Sequence, residues 1–176
     1  MDLDRKEVFA DLLVSVRQGR YSYVHFGLPC TSWGLAGILS GGYRRKHRLY
    51  GDPGARRECR GNLQAERMTI LIHALSLQGA FWSVENPQAS FFWDTFYFEH
   101  VESRFSTALV SFDQCTYGLQ PPDAGPAEFT KKATCWWTNL DGAHVLGRRC
   151  PGCSASHRHL HAWGSGKANG KAFNRA

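Results

Sequence analysis

No run of about 18 consecutive apolar residues occurs in this 176-residue chain, so no segment is built to cross a bilayer as a helix. The N-terminus, Met1 to Glu7, lacks the apolar stretch of a secretory signal. The six cysteines, Cys30, Cys59, Cys115, Cys135, Cys150 and Cys153, are irregularly spaced and do not form the dense framework of a small disulfide scaffold. They are expected to be thiols or metal ligands in a reducing, intracellular compartment, nuclear or cytoplasmic. Gly164 to Lys171 is rich in glycine and lysine but lacks the Gly-x4-Gly-Lys-Ser/Thr spacing of a phosphate loop, and no strand precedes it. What is present is a hydrophobic content of 43%, enough for one domain with a real core.

The formal charge of +6 is concentrated. Between Tyr43 and Arg60, Arg44, Arg45, Lys46, Arg48, Arg56, Arg57 and Arg60 face only Asp52 and Glu58, seven cations against two anions. Two readings are open: phosphate neutralisation on a nucleic acid, or a solvated loop. The same region, Thr31 to Gly61, has little periodicity and many glycines. It is expected to be a long binding loop or lid.

Around that loop the chain alternates helices and strands. Asp4 and Glu7 have capping-box spacing before an amphipathic helix that ends at Gly19. Tyr21 to Phe26 reads as a first strand, closed by Gly27 and Pro29, which places Cys30 just past its C-terminal end. Asn62 can cap a helix to about Gln78, and Ala80 to Val84 forms a second strand. A right-handed crossover makes these strands parallel and puts Glu85 beside Cys30 at one sheet edge. Ser90 can cap a helix from Phe91 to about Glu102. Ala108 to Phe112 and Ala133 to Thr138 are expected as an antiparallel pair, joined by a long loop.

Pro29-Cys30 after one strand, Glu85-Asn86-Pro87 after the next, Asp113-Gln114-Cys115-Thr116-Tyr117-Gly118, Lys131-Lys132-Ala133-Thr134 and Thr138-Asn139 together resemble the C5-cytosine methyltransferases, in particular the phage-type and transposon-associated branches. The resemblance implies an α/β fold: a partial Rossmann-like methyltransferase sheet of two parallel strands plus a C-terminal antiparallel pair, with flanking helices. It implies Cys30 as the nucleophile at cytosine C6 and Glu85 as the acid at N3, with S-adenosylmethionine as methyl donor. Asn86 and Pro87 would shape the pocket wall. Lys132 and Thr134 would contact the base or its phosphate, and the loop arginines Arg44, Arg45 and Arg48 would hold the nucleic acid, DNA before RNA, around a flipped base. Trp33 and Gly34 stand where the family has phenylalanine and serine, and Cys135 where it often has arginine. The family's glycine turn for the cofactor is not found, so a preceding segment or a partner chain is expected to supply that half. Beside the enzyme stands a second reading, a non-catalytic nucleic-acid-binding remnant of the fold associated with a mobile element. A third, an amino-methyltransferase loop, is weakened by Gln88 and Ala89, which replace the proline and aromatic that such a loop carries.

At the C-terminal side, Cys150 and Cys153 have C-x2-C spacing, and His157, His159 and His161 follow. Cys150, Cys153, His157 and His159 are candidate zinc ligands, with one histidine of the three surplus. A basic, solvent-facing tail is the other reading. The expected organisation is a methyltransferase-like domain over 1–145, a Cys/His segment over 146–163 and a flexible tail over 164–176.

Overall fold

The computed structural model describes residues 3–160 and, as backbone strands, residues 165–168 and 171–174. His161 lies outside the described residues. The protein is a mixed α/β structure in which helices cover a mixed sheet, and among the described residues no helix is long and apolar enough to cross a membrane.

Four strands form the main sheet: β1 (Tyr23–Gly27), β2 (Phe81–Pro87), β3 (Ala108–Asp113) and β5 (Ala133–Thr138), in the order β1-β2-β5-β3. β1 and β2 are parallel, as the intervening helix requires, and β5 is antiparallel to both of its neighbours. The expected antiparallel pairing of β3 with β5 is present, and β5 also inserts against β2. This arrangement brings the C-terminal ends of β1, β2 and β3 and the N-terminal end of β5 to one side of the sheet.

Strand alternation divides the two faces of β2. Trp82, Val84 and Asn86 point one way, and Trp82 and Val84 join a fully buried core with Met68, Ile72, Phe92 and Trp137. Ser83 and Glu85 point the other way, and there the Ser83 hydroxyl bonds Tyr23 Oη at 2.6 Å and His25 Nδ1 at 2.7 Å.

Helix α1 (Lys6–Arg17) packs on α3 (Arg56–Leu77), with Leu12 and Val16 buried against the core. The N-cap of α1 is Arg5, without a side-chain cap bond; Asp4 instead pairs with Arg60 of α3. Helix α3 begins at Arg56, ahead of the expected Asn62, and runs through Gly61. That glycine is there for room, since a Cβ on Gly61 would lie 2.2 Å from Ser32 Oγ. The predicted aromatic helix after Ser90 is split in two. A 3-10 turn over Phe91–Asp94, capped by the Ser90 hydroxyl at 3.2 Å from Phe92 N, gives way at extended Thr95 to α4 (Phe96–Glu102). Short helix α2 (Leu35–Leu39) lies in the expected loop.

The long connection between β3 and β5 holds a 3-10 turn (Gln114–Tyr117) and β4 (Glu128–Thr130), which pairs in parallel with β6 (Arg158–Leu160). Where a tail without regular structure is expected, β7 (Ser165–Ala168) and β8 (Lys171–Asn174) pair antiparallel.

Candidate functional site

Cys30 sits in a turn held from two sides. The buried Asn86 side chain donates from Nδ2 to the Leu28 carbonyl at 2.9 Å, tying the residue before Pro29 to β2. On the other side the Cys30 carbonyl accepts the N–H groups of Trp33 and Gly34 at 3.1 and 2.9 Å. Trp33 is fully buried, and its carbonyl accepts the Phe91 N–H at 2.9 Å. The half-exposed Cys30 thiol is unbridged, as are the other cysteines.

Glu85 lies within β2, in register with Gly27 of β1 on one side and Trp136 of β5 on the other. Its Oε1 receives Lys132 Nζ at 3.4 Å and Gln114 Nε2 at 3.4 Å. Gln114 also donates to Thr134 Oγ1 at 2.9 Å, and its backbone N–H binds the Lys132 carbonyl at 3.0 Å. Glu85, Gln114, Lys132 and Thr134 therefore form one polar wall at the sheet end that carries the Pro29-Cys30 turn. Sequence spacing does not single out Gln114 for this wall; the one hint is its place inside the Asp113-to-Gly118 motif. Thr138 and Asn139 lie at the opposite end, where Asn139 brackets the start of β2 through Trp82 N at 2.8 Å and Ala80 O at 3.0 Å. Their role is to position the strand.

The arginines divide into two groups. Arg44 is 1% exposed, with its guanidinium 3.5 Å from the centroid of the Trp33 ring. It donates to the Leu49 carbonyl at 2.5 Å and the Glu58 carbonyl at 3.1 Å. Burial lowers its pKa to about 10, with the Glu58 carboxylate acting the other way. Arg44 is thus a core side chain of the loop, unavailable to a phosphate, which corrects the expectation for that residue. Arg45 and Arg48 are exposed but turn back onto the loop, Arg45 to the Gly42 carbonyl at 2.9 Å and Arg48 to Asp52 at 2.9 Å. Beside Cys30, a groove of about 490 Å³ is instead lined by Arg56, Arg57 and Arg60 of α3, with Pro29, Thr31 and Ser32. The expected lid is accordingly an ordered loop that fastens to α3.

A cavity of about 760 Å³ runs along the β1 edge past Tyr23, Phe26, Gly27 and Pro29 to Arg60 and Gln64. No carboxylate lines it, so neither the ribose hydroxyls nor the ammonium group of S-adenosylmethionine would find an acidic partner there. The residues lining this cavity do not fit that cofactor.

Next to Gln114, four ligand atoms converge. The sulfurs of Cys115 and Cys150 and one ring nitrogen each of His157 and His159 all lie within 4.8 Å of one another. Cys150 Sγ is 3.5 Å from His157 Nε2 and 3.4 Å from His159 Nε2, and the two nitrogens are 3.1 Å apart. Burial, then the hydrogen bond to Cys150, pushes the Cys115 thiol up to about 11, while burial and neighbouring His157 lower His159. Cys153, expected as a ligand, is exposed and outside this group; its sulfur meets the far nitrogen of His159, Nδ1, at 3.5 Å. Cys115 takes its place from 35 residues before Cys150, beyond the reach of any local spacing rule.

No protein-family model, curated protein or solved structure matches this chain, so the reading of its site rests on these residues and their geometry.

Proposed function

We propose that the chain is the target-base half of a C5-cytosine methyltransferase-like site, in which Cys30 adds to a cytosine taken out of its stack. The observation that carries this reading is the buried Asn86 bond to the Leu28 carbonyl, which ties the thiol-bearing turn to the strand of Glu85. A second support is the basic groove beside the turn, where Arg56 suits a phosphate flanking such a base, while Arg57 is engaged by the Gly37 carbonyl and Arg60 by Asp4.

In the addition, the Cys30 sulfur, having lost its proton to water, forms a bond to C6. The C5=C6 electron pair moves into the ring, N3 receives a proton that the Glu85 carboxylate takes up from water, and the product is an enamine with nucleophilic C5. With no base present, the Glu85 carboxylate is satisfied by Lys132 and Gln114. Lys132 and Gln114 are then placed to orient the entering ring. S-adenosylmethionine is the methyl donor in the family; the described cavity does not fit it, and the addition at C6 does not require it.

The enamine offers a test that needs no methyl donor. In heavy water, C5 takes up a deuteron, loses its original proton and expels the cysteine, exchanging the C5 hydrogen. An oligonucleotide with an unpaired cytosine should show this exchange faster than buffer alone. Cys30→Ser should abolish it, and Glu85→Gln should slow it by about 10²–10⁴-fold. Exchange no faster than buffer, or indifferent to Cys30→Ser, would reject the chemistry. If salt-sensitive binding persisted in that case and weakened on Arg56→Ala, the second reading, a nucleic-acid-binding remnant, would replace it.

A further inference from the structure

The geometry assigns a tetrahedral Cys2His2 zinc site to Cys115, Cys150, His157 and His159, with Cys153 as its outer partner. Zinc–thiolate bonds of about 2.3 Å and zinc–imidazole bonds of about 2.0–2.1 Å at tetrahedral angles hold sulfur and nitrogen about 3.5 Å apart and two nitrogens about 3.3 Å apart. The sulfur–nitrogen separations of 3.4 and 3.5 Å and the nitrogen–nitrogen separation of 3.1 Å match these spacings. Two thiolates and two imidazoles around one point suit zinc among the common divalent ions, whereas calcium and magnesium take oxygen ligands.

The surroundings favour the same assignment. Cys153 Sγ at 3.5 Å from His159 Nδ1 can accept that N–H, which leaves the Nε2 lone pair facing the other three ligands. The Gly152 N–H points at Cys150 Sγ at 3.4 Å, a donor suited to a thiolate. His157 is held flat against Phe129, with ring centroids 4.4 Å apart and planes inclined by 10°. Asp113, 4% exposed, accepts the Cys150 N–H at 2.9 Å. The ligands come from separate pieces of chain, the turn after β3 and the segment from Cys150 into β6, which itself carries His159. A zinc ion would therefore staple the C-terminal segment to the turn that carries Gln114. This assignment is independent of the cytosine chemistry and stands or falls without it.

The test is metal analysis of the full chain purified without chelators and then titrated with zinc. The expected content is about one zinc per chain, with X-ray absorption reporting two sulfur and two nitrogen neighbours. Cys115→Ser should lose the ion, whereas Cys153→Ser should keep the stoichiometry and bind about 10–100-fold more weakly. Because Cys115 is buried, the wild-type cobalt(II) derivative provides a second measurement that needs no substitution. A tetrahedral spectrum with charge-transfer intensity from two thiolates is expected, unchanged in form by Cys153→Ser. Three sulfur neighbours, stoichiometric loss in Cys153→Ser with retention in Cys115→Ser, or no tight binding by the wild type would each overturn the assignment.

Discussion

Two stretches of chain meet at the sheet end that carries Cys30 and Glu85, and they are held by opposite means. The loop from Leu28 to Ala55 is fastened by its own side chains: Trp33 is buried, Arg44 lies against its ring, and the Arg44 guanidinium closes onto the Leu49 and Glu58 carbonyls. The segments on either side of β5, residues 114–132 and 147–160, bury only Cys115 and Pro121 among apolar side chains, and their β4–β6 pairing spans only Glu128–Thr130 against Arg158–Leu160. They converge instead on four metal-type ligand atoms. One wall of the site is thus stabilised by packing and internal hydrogen bonds, and the other by a cluster that an ion would complete.

The comparison can be broken most forcefully at Trp33. Trp33→Ala should cost about 3–5 kcal/mol, read from denaturant unfolding, because it empties a fully enclosed position and leaves Arg44 without its platform. A cost below about 1 kcal/mol would mean that this loop does not depend on its core. Next in size is metal removal. A strong chelator should raise hydrogen exchange across residues 114–132 and 147–160 and leave 28–55 protected; at a free zinc level a hundredfold above Kd the ion contributes about 2.7 kcal/mol. Equal loss of protection in both stretches would erase the distinction between them. The smallest effect is expected at Arg45. Exposed Arg45→Ala should shift stability by no more than about 0.5 kcal/mol, despite adjoining the buried Arg44. A larger cost would show that the loop's surface bonds matter as much as its interior.

Much of the strand framework was legible in the sequence. Ala133 to Thr138 is bounded by charge on one side and Asn139 on the other, and β5 has those limits. The helix between β1 and β2 sufficed to put Cys30 and Glu85 at one sheet end, since a parallel pair aligns its strand ends. The loop was harder. A run of arginines reads as solvated surface, and nothing local marks Arg44 as the one that turns inward onto a tryptophan 11 residues earlier. Gly61 reads as a helix breaker, yet it lies inside α3, at a point where a Cβ would come 2.2 Å from Ser32 Oγ. Of the four residues that the spacing picks out, Cys150, His157 and His159 fall in the Cys/His cluster and Cys153 lies outside it. The exchange of Cys153 for Cys115 depends on the fold returning the chain to the end of β3, a contact between distant residues.

The order β1-β2-β5-β3 also has a meaning in time. β5 is the last of the four strands to be synthesised, yet it occupies an interior place, paired on both sides. Until it arrives, β2 and β3 each show the growing chain a bare rim, and Glu85 has neither the lysine nor the threonine that will surround it. The polar wall around Glu85 is therefore completed only when β5 pairs with both β2 and β3. A nascent chain stalled before Ala133 would therefore carry Glu85 and Gln114 without the strand that brings Lys132 and Thr134 to them.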